Sequence, residues 1–187
     1  PAAAEAPAAA EAPTAEVPQA APELVEKTVD APLPPSSQPP TLPPSPPCDT
    51  SDTSDATVAR ANAALGTLCK EHGIDDSHGV LHAEAVLAHA EKALAEAEVQ
   101  LAAPRALAVR LAALLHDADD HKYFGKASAK LMANATRIMD DAGAPAAVID
   151  DAKEMISLVS CSANGNSCPP RAQEQPELLW PRWADRL

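Results

Sequence analysis

The sequence lacks the features that mark secreted or membrane proteins. Its four cysteines contain no C-x-x-C pair and are too few for a disulfide framework, which favours a reducing intracellular compartment. No stretch is long and apolar enough to span a membrane, and no apolar segment of a signal peptide stands at the N-terminus. A membrane is therefore not among the expected partners.

Basic residues are also scarce. The chain carries 14 Lys and Arg against 27 Asp and Glu, which gives a formal net charge of −13. The first 55 residues contain nine carboxylates against Lys27 alone, and the remainder is still negative by five. Nucleic acid is not an expected partner, because neutralising its phosphates needs clustered Lys and Arg. A small anionic substrate held by a local cation is compatible with this charge.

The chain divides into two parts by composition. Residues 1–55 hold most of the 20 prolines, with Ala, Glu, Gln and Ser, and such a tract cannot bury enough surface to fold. It is predicted to be disordered, either as a plain linker or tail or as a polyproline segment that binds a partner. Residues 56–187 are predicted to form one domain. The chain begins without Met, as a fragment would. Because it stops at Leu187 within an amphipathic pattern, we expect this domain to be incomplete at its C-terminus.

No stretch alternates apolar and polar residues long enough to predict a strand, so the predicted class is all-α. The helix that starts at Pro104 is expected to be the most buried, because leucines recur along it at helical spacing. The predicted helices cover about residues 55–73, 76–99, 104–118, 128–143 and 145–160, and a last one starts near residue 178.

Titratable residues gather at the end of the most apolar predicted helix, in the stretch LLHDADDHKY. His116 and Asp117 are adjacent there, whereas His78 and His82 share a face of the preceding predicted helix. Asp185 lies much further along the chain, in the segment WADRL. Two imidazoles and two carboxylates from three different helices could surround one divalent ion, because a site in a helical core is built from facing helices.

These segments resemble the HD superfamily of metal-dependent phosphohydrolases, in particular a small uncharacterised branch. The resemblance rests on SHGVLHAEAVLAHA, LAALLHDADDHK, VSCSANGNS and PELLWPRWADRL, and covers about residues 74–187. Its most specific element is the ordered set H, then HD, then D. The resemblance implies a single HD-type helical domain and a hydrolase acting on a phosphomonoester or nucleotide through a metal-bound water.

The resemblance also implies metal ligands at His82, His116, Asp117 and Asp185. His78 competes with His82 for the first position, and we choose His82 from its place on the helix. The cofactor expected is one divalent ion, usually Mn, Mg, Ni or Fe in this family. A mixed nitrogen and oxygen donor set suits such a borderline to hard cation, and zinc is less expected.

Further roles follow from the same resemblance. Asp120 lies where a carboxylate could orient or deprotonate the attacking water, and Lys122, in the pattern HD-x-x-D-x-K, would contact the substrate phosphate. Arg182 and Arg186 are candidates for clamping that phosphate. Asp119 is interpreted as a solvated neighbour of Asp120.

Three alternatives stay open at this point. The chain could be a catalytically silent HD-fold module that binds a metal or nucleotide for regulation. It could oxidise a substrate with two irons, which would require further histidine ligands. A purely structural helical interaction protein would leave the H, HD, D set unexplained.

Overall fold

The computed structural model describes residues 50–187, which are mostly helical and contain no strand. The all-α prediction is confirmed for this part of the chain. Residues 1–49, most of the predicted disordered tract, lie outside the described residues. The helices are α1 (Thr50–His72), α2 (Val80–Glu96), α3 (Ala103–Leu115), α4 (His121–Leu131), α5 (Ala133–Asp141), α6 (Ala146–Val159), α7 (Cys161–Asn164), α8 (Pro170–Glu174) and α9 (Trp180–Ala184), with a 3-10 turn, Pro176–Leu179, before α9.

Helix α3 forms the centre of the core. Leu107, Leu111 and Leu114 are buried along it, as the helical spacing predicted, and the helix packs against α1, α2, α6 and α9. Each buried leucine stabilises the fold by about 1.5 to 3 kcal/mol relative to an exposed one. Because α3 contacts four other helices, the residues at its C-terminal end, His116 and Asp117, are held in a fixed position.

Two helix starts differ from the prediction. Helix α1 begins at Thr50, not near Asp55, so residues 50–55 belong to the helix and not to the tract before it. Helix α2 begins at Val80, and His78 lies in the turn before it. His78 therefore does not share a helical face with the histidines of α2.

The turn before α2 is tight because residue 79 is glycine. A Cβ added at Gly79 would lie 2.8 Å from the carbonyl oxygen of Asp75, closer than side-chain carbons approach such an atom. The His78 backbone N–H donates to the same carbonyl at 3.1 Å. This turn therefore fixes the backbone position of His78, from which its side chain extends.

The single helix predicted over residues 128–143 is two helices in the structure. Met132 separates α4 from α5 with a left-handed backbone, φ 51°. The carboxylate of Asp119 accepts hydrogen bonds from the backbone N–H groups of Asn134 and Ala135, at 3.0 and 2.9 Å, and so caps α5 from outside the helix.

Asp119 is therefore not the solvated residue that the sequence suggested. It is 8 % exposed, and it also accepts a hydrogen bond from the Ser128 hydroxyl at 2.7 Å. The prediction was wrong because its partners lie 9 to 16 residues further along the chain. None of the helices described here is long and apolar enough to cross a lipid bilayer.

Candidate metal centre and its cleft

Four side chains from α2, the end of α3 and the end of α9 meet at one point, and we call them the ligand cluster. The Nε2 atoms of His82 and His116 are 3.2 Å apart. Asp185 Oδ1 lies 3.2 Å from the first and 3.3 Å from the second. Asp117 Oδ2 lies 3.4 Å from His116 Nε2 and 3.9 Å from His82 Nε2. The structure thus brings together all four residues for which the sequence predicted a metal-binding role.

These separations fit the donor set of a single divalent ion. Donors about 2.0 to 2.2 Å from an ion, at tetrahedral or octahedral angles, are roughly 2.8 to 3.6 Å apart, and all the separations given above except the 3.9 Å between Asp117 and His82 lie in this range. The donor atoms of His82, His116 and Asp117 all lie within 4.8 Å of one another, and Asp185 joins them through the two imidazoles. Two imidazole nitrogens and carboxylate oxygens suit a borderline to hard cation.

A backbone hydrogen bond orients His116 for ligation. Its Nδ1 lies 2.9 Å from the carbonyl oxygen of Ala113, so the hydrogen on Nδ1 is donated there and Nε2 faces the cluster. The side chain is 2 % exposed. Burial opposes the charged imidazole, but hydrogen bonds and charge attraction from Asp117 and Asp185 outweigh it and raise the pKa of His116 to about 10.

The two carboxyl groups respond in the opposite direction. Burial disfavours ionised Asp117, but the hydrogen bond and positive charge of His116 prevail and lower its pKa. For Asp185 the hydrogen bond with His116 is the main cause of a lowered pKa. Both carboxylates are therefore ionised at neutral pH, which gives the cluster the negative charge that attracts a cation.

His78 lies outside the ligand cluster. Its Nε2 lies 2.9 Å from the Lys122 ammonium and 3.7 Å from Asp120 Oδ2, and its Nδ1 lies 2.7 Å from the Ser77 hydroxyl. This placement supports the choice of His82 over His78 as the first ligand.

A chain of hydrogen bonds runs from Lys122 through His78 to the turn before α2. Because an ammonium only donates, His78 Nε2 accepts from Lys122 and the hydrogen on Nδ1 is donated to Ser77. Ser77 in turn donates to Asp75, which also accepts from the Tyr123 hydroxyl at 2.8 Å. The hydrogen bonds from Ser77, then Tyr123, lower the pKa of Asp75 to about 2.

Sequence reasoning missed Asp75, Ser77 and Tyr123 as parts of the site. The contacts that link them to it join residues 44 and 48 positions apart, so no local pattern signals them. The only hint was that Tyr123 closes the unusual stretch LLHDADDHKY.

Asp120 has a structural task besides the predicted catalytic one. Its carboxylate accepts a hydrogen bond from the Lys122 backbone N–H at 2.9 Å and caps α4, and the side chain is 11 % exposed. It also lines the cleft that the ligand cluster faces. Its position is thus compatible with both tasks.

Three residues of the ligand cluster, His116, Asp117 and Asp185, line a cleft of about 670 Å³. Its wall includes Ser160 and Cys161, between the end of α6 and the start of α7. Arg186 belongs to the same wall, where its guanidinium contacts the Cys161 sulfur and stacks 5.2 Å from the centre of the Trp183 ring. The groups relevant to chemistry along the wall are His116, Asp117, Asp120, Lys122, Asp185 and Arg186.

Arg182 does not belong to this cleft. It is 1 % exposed, and its guanidinium donates to the backbone carbonyls of Leu158 and, at 2.8 Å, Ser167. The structure corrects the predicted substrate-binding role, because a buried guanidinium bonded to the end of α6 cannot reach a ligand. Arg182 instead ties α9 to α6.

Comparisons with protein-family models, curated proteins and solved structures find no match for the chain. The HD resemblance therefore stays a prediction.

Proposed function

We propose that the protein is a metal-dependent phosphohydrolase of the HD type, acting on a phosphomonoester or nucleotide. The observation that carries this proposal is the ligand cluster, in which the two imidazole Nε2 atoms lie 3.2 Å apart and each lies 3.2 to 3.9 Å from an oxygen of both Asp117 and Asp185. A buried imidazole facing two ionised carboxylates in the wall of a cleft suits cation binding and catalysis more than packing.

The ion would be held by His82, His116, Asp117 and Asp185. A divalent ion at such ligands lowers the pKa of a coordinated water to near neutral and polarises a phosphoryl oxygen. The remaining tasks fall to side chains along the cleft. Asp120 would accept the proton of the attacking water, because it is ionisable, lines the cleft and is held in place as the cap of α4.

Lys122 and Arg186 would neutralise the phosphate of the substrate. Both line the cleft with the ligand cluster, and both are held by neighbours: Lys122 by His78 and Arg186 by the Trp183 ring. A cation whose orientation is already fixed loses less entropy when it binds a phosphate. This arrangement therefore supports binding of a phosphate ester.

Two observations favour one ion over the two-iron alternative. Lys122 Nζ lies 2.9 Å from His78 Nε2 and 3.8 Å from Asp120 Oδ2. The ammonium therefore occupies the place beside His78 and Asp120 where a second ion would bind. Among residues 50–187, no other set of three or more His, Cys, Asp or Glu donors lies close enough to bind an ion.

The test is release of phosphate from a panel of nucleotides and phosphomonoesters, with Mn, Mg, Ni or Fe supplied in turn. We expect activity that depends on the ion and is lost, together with bound metal, when His116→Ala is combined with Asp117→Ala. The matched control combines His89→Ala with Asp76→Ala, since both residues are exposed and lie outside the cluster and the cleft. Metal or nucleotide binding without turnover would favour the silent regulatory module, and two irons per chain would overturn phosphohydrolysis.

A further inference from the structure

We propose that Lys126 and Lys130 form a second anion-binding subsite in the cleft, so that the substrate carries two or more phosphates or another anionic group beside the reacting one. The statement that the molecule bound there is a substrate rests on the proposed function. The subsite itself is argued from the geometry and charge of α4.

Both lysines belong to the wall of the same cleft as the ligand cluster. They follow Gly125, where the backbone of α4 leaves the helical conformation with φ 76° and ψ 167°. Residues four apart on a helix face the same side and are displaced by about 6 Å along its axis. Lys126 and Lys130 thus present two ammonium groups in a row to one cavity.

The two lysines have no partner of their own. Within residues 50–187, neither side chain makes a hydrogen bond or an ion pair, and both are exposed. The carboxylates nearest to them in sequence are Asp120 and Asp119. Asp120 caps α4 and lies 3.8 Å from the Lys122 ammonium, and Asp119 is buried and already accepts three hydrogen bonds. No carboxylate on α4 or at its ends therefore neutralises this pair of charges.

Six of the eleven other Lys and Arg side chains in residues 50–187 form ion pairs with acids. Arg105 pairs with Asp151 at 2.9 Å and with Glu177 at 3.0 Å, and Arg171 pairs with Glu154 at 2.7 Å. In a chain of net charge −13, two ammonium groups without an acid partner among the described residues lie four residues apart on the wall of one cavity. An anion that the rest of the surface repels would be attracted there.

The cleft is also larger than one phosphate needs. A volume of about 670 Å³ lies within the range of sites that enclose a whole small ligand. Lys122 and Arg186 already supply two cations for the phosphate at the ligand cluster. The further pair on α4 would be superfluous for a monoester and suits a diphosphate, triphosphate or bisphosphate.

The first arm of the test is equilibrium binding to protein freed of metal with a chelator, with inorganic pyrophosphate and inorganic phosphate as probes. The variant combines Lys126→Ala with Lys130→Ala, and the matched control combines Lys70→Ala with Lys92→Ala, which removes the same charge from surfaces outside the cleft. We expect pyrophosphate to bind the wild type more tightly than phosphate does. The variant should bind pyrophosphate about tenfold more weakly, whereas the control should stay within about twofold.

A second variant separates charge from shape. Lys126→Arg with Lys130→Arg keeps both cations, so pyrophosphate binding should remain near the wild-type value. Equal weakening in the cleft variant and the control, or no weakening in either, would overturn the subsite. Circular dichroism is used to check that each variant is folded.

The second arm measures turnover of a nucleoside diphosphate and a nucleoside monophosphate with the ion found at the ligand cluster. The alanine pair should raise KM for the diphosphate about tenfold with little change in kcat, and leave both constants for the monophosphate nearly unchanged. A raised KM for both substrates alike would overturn the assignment of a second group. If no phosphate is released from any substrate, the phosphohydrolase proposal fails, while the binding arm still decides the subsite.

Discussion

Helices α3 and α4 border the same cleft but are built in opposite ways. Eight residues of α3 are buried, whereas no residue of α4 is. The side chain of His116, just after α3, is 2 % exposed, and that of Lys122, on α4, is 55 % exposed. The core therefore positions His116, while a surface hydrogen bond to His78 positions the Lys122 ammonium in the wall of the cleft.

This contrast separates two kinds of substitution. Changes in the ligand cluster remove groups that the packed helices hold in place, so they should affect the ion itself. Changes on the α4 side should affect turnover or substrate affinity and leave the ion bound.

The largest expected effect is on metal affinity, and it is tested by comparing substitutions of two histidines four residues apart. His82→Ala should lower metal affinity by on the order of a thousandfold, because it removes a donor from the cluster. His78→Ala should change that affinity by no more than about threefold, since His78 contacts Lys122 and not the cluster. Calorimetric titration with Mn and elemental analysis measure both. Loss of the ion from the His78 variant would reverse the assignment.

The next effect sharpens the role of Asp120. Asp120→Asn keeps a side chain that caps a helix about as well as aspartate, so stability should be unchanged. Without an ionisable carboxylate to take a proton, kcat should fall about a hundredfold while the ion stays bound. Steady-state kinetics and thermal melting provide the two readings. A variant with wild-type kcat would remove Asp120 from the chemistry.

A smaller effect is the pH dependence of metal affinity, which depends on the buried His116. The raised pKa of His116, about 10, means that the metal-free protein keeps the imidazole protonated at neutral pH. An ion that binds Nε2 must displace this proton, so apparent metal affinity should rise about tenfold per pH unit between about pH 7 and pH 9. Calorimetry in buffers of different ionisation enthalpy counts the proton released. An affinity that is flat over this range would contradict the pairing of His116 with its carboxylates.

The metal-free protein should show the opposite trend in stability. A group whose folded pKa lies above its unfolded value of 6.5 contributes stability below that value and loses the contribution as the pH rises through about 10. The melting temperature without metal should therefore fall over the pH range in which metal affinity rises.

The smallest effect compares two neighbouring aspartates. Asp119→Ala removes the carboxylate that caps α5, and should lower the free energy of unfolding by about 2 kcal/mol. Urea denaturation measures it, with Asp76→Ala as the control, for which a change below about 0.5 kcal/mol is expected because that residue is exposed. Equal losses in the two variants would mean that the cap contributes nothing.

Much of the fold could be read from local patterns. The leucines of α3 follow a helical period, which depends only on neighbours three or four residues away, so the most buried helix was predicted correctly. The break at Met132 could not be predicted in this way, because the carboxylate of Asp119, which caps the helix after the break, lies 15 and 16 residues before the N–H groups that it binds.

The candidate site was predictable in its members and less so in its surroundings. Two histidines and two aspartates were chosen because the ordered set H, then HD, then D resembles the HD superfamily. The buried position of Arg182 was not predictable, since an arginine beside a tryptophan near the chain end reads equally well as a surface cation. Nor did the sequence mark Lys126 and Lys130, which are ordinary lysines until α4 is placed against the cleft.

By itself, the sequence determined that this domain is helical, which helix is its centre, and which residue types could bind an ion. These properties follow from periodicity and side-chain chemistry, which act over a few residues. Tertiary structure alone decided that His78 contacts Lys122, that Asp119 caps α5, and that Lys126 and Lys130 line the same cleft as His116, Asp117 and Asp185. Burial and charge pairing depend on which distant segments pack together, and no local pattern specifies that.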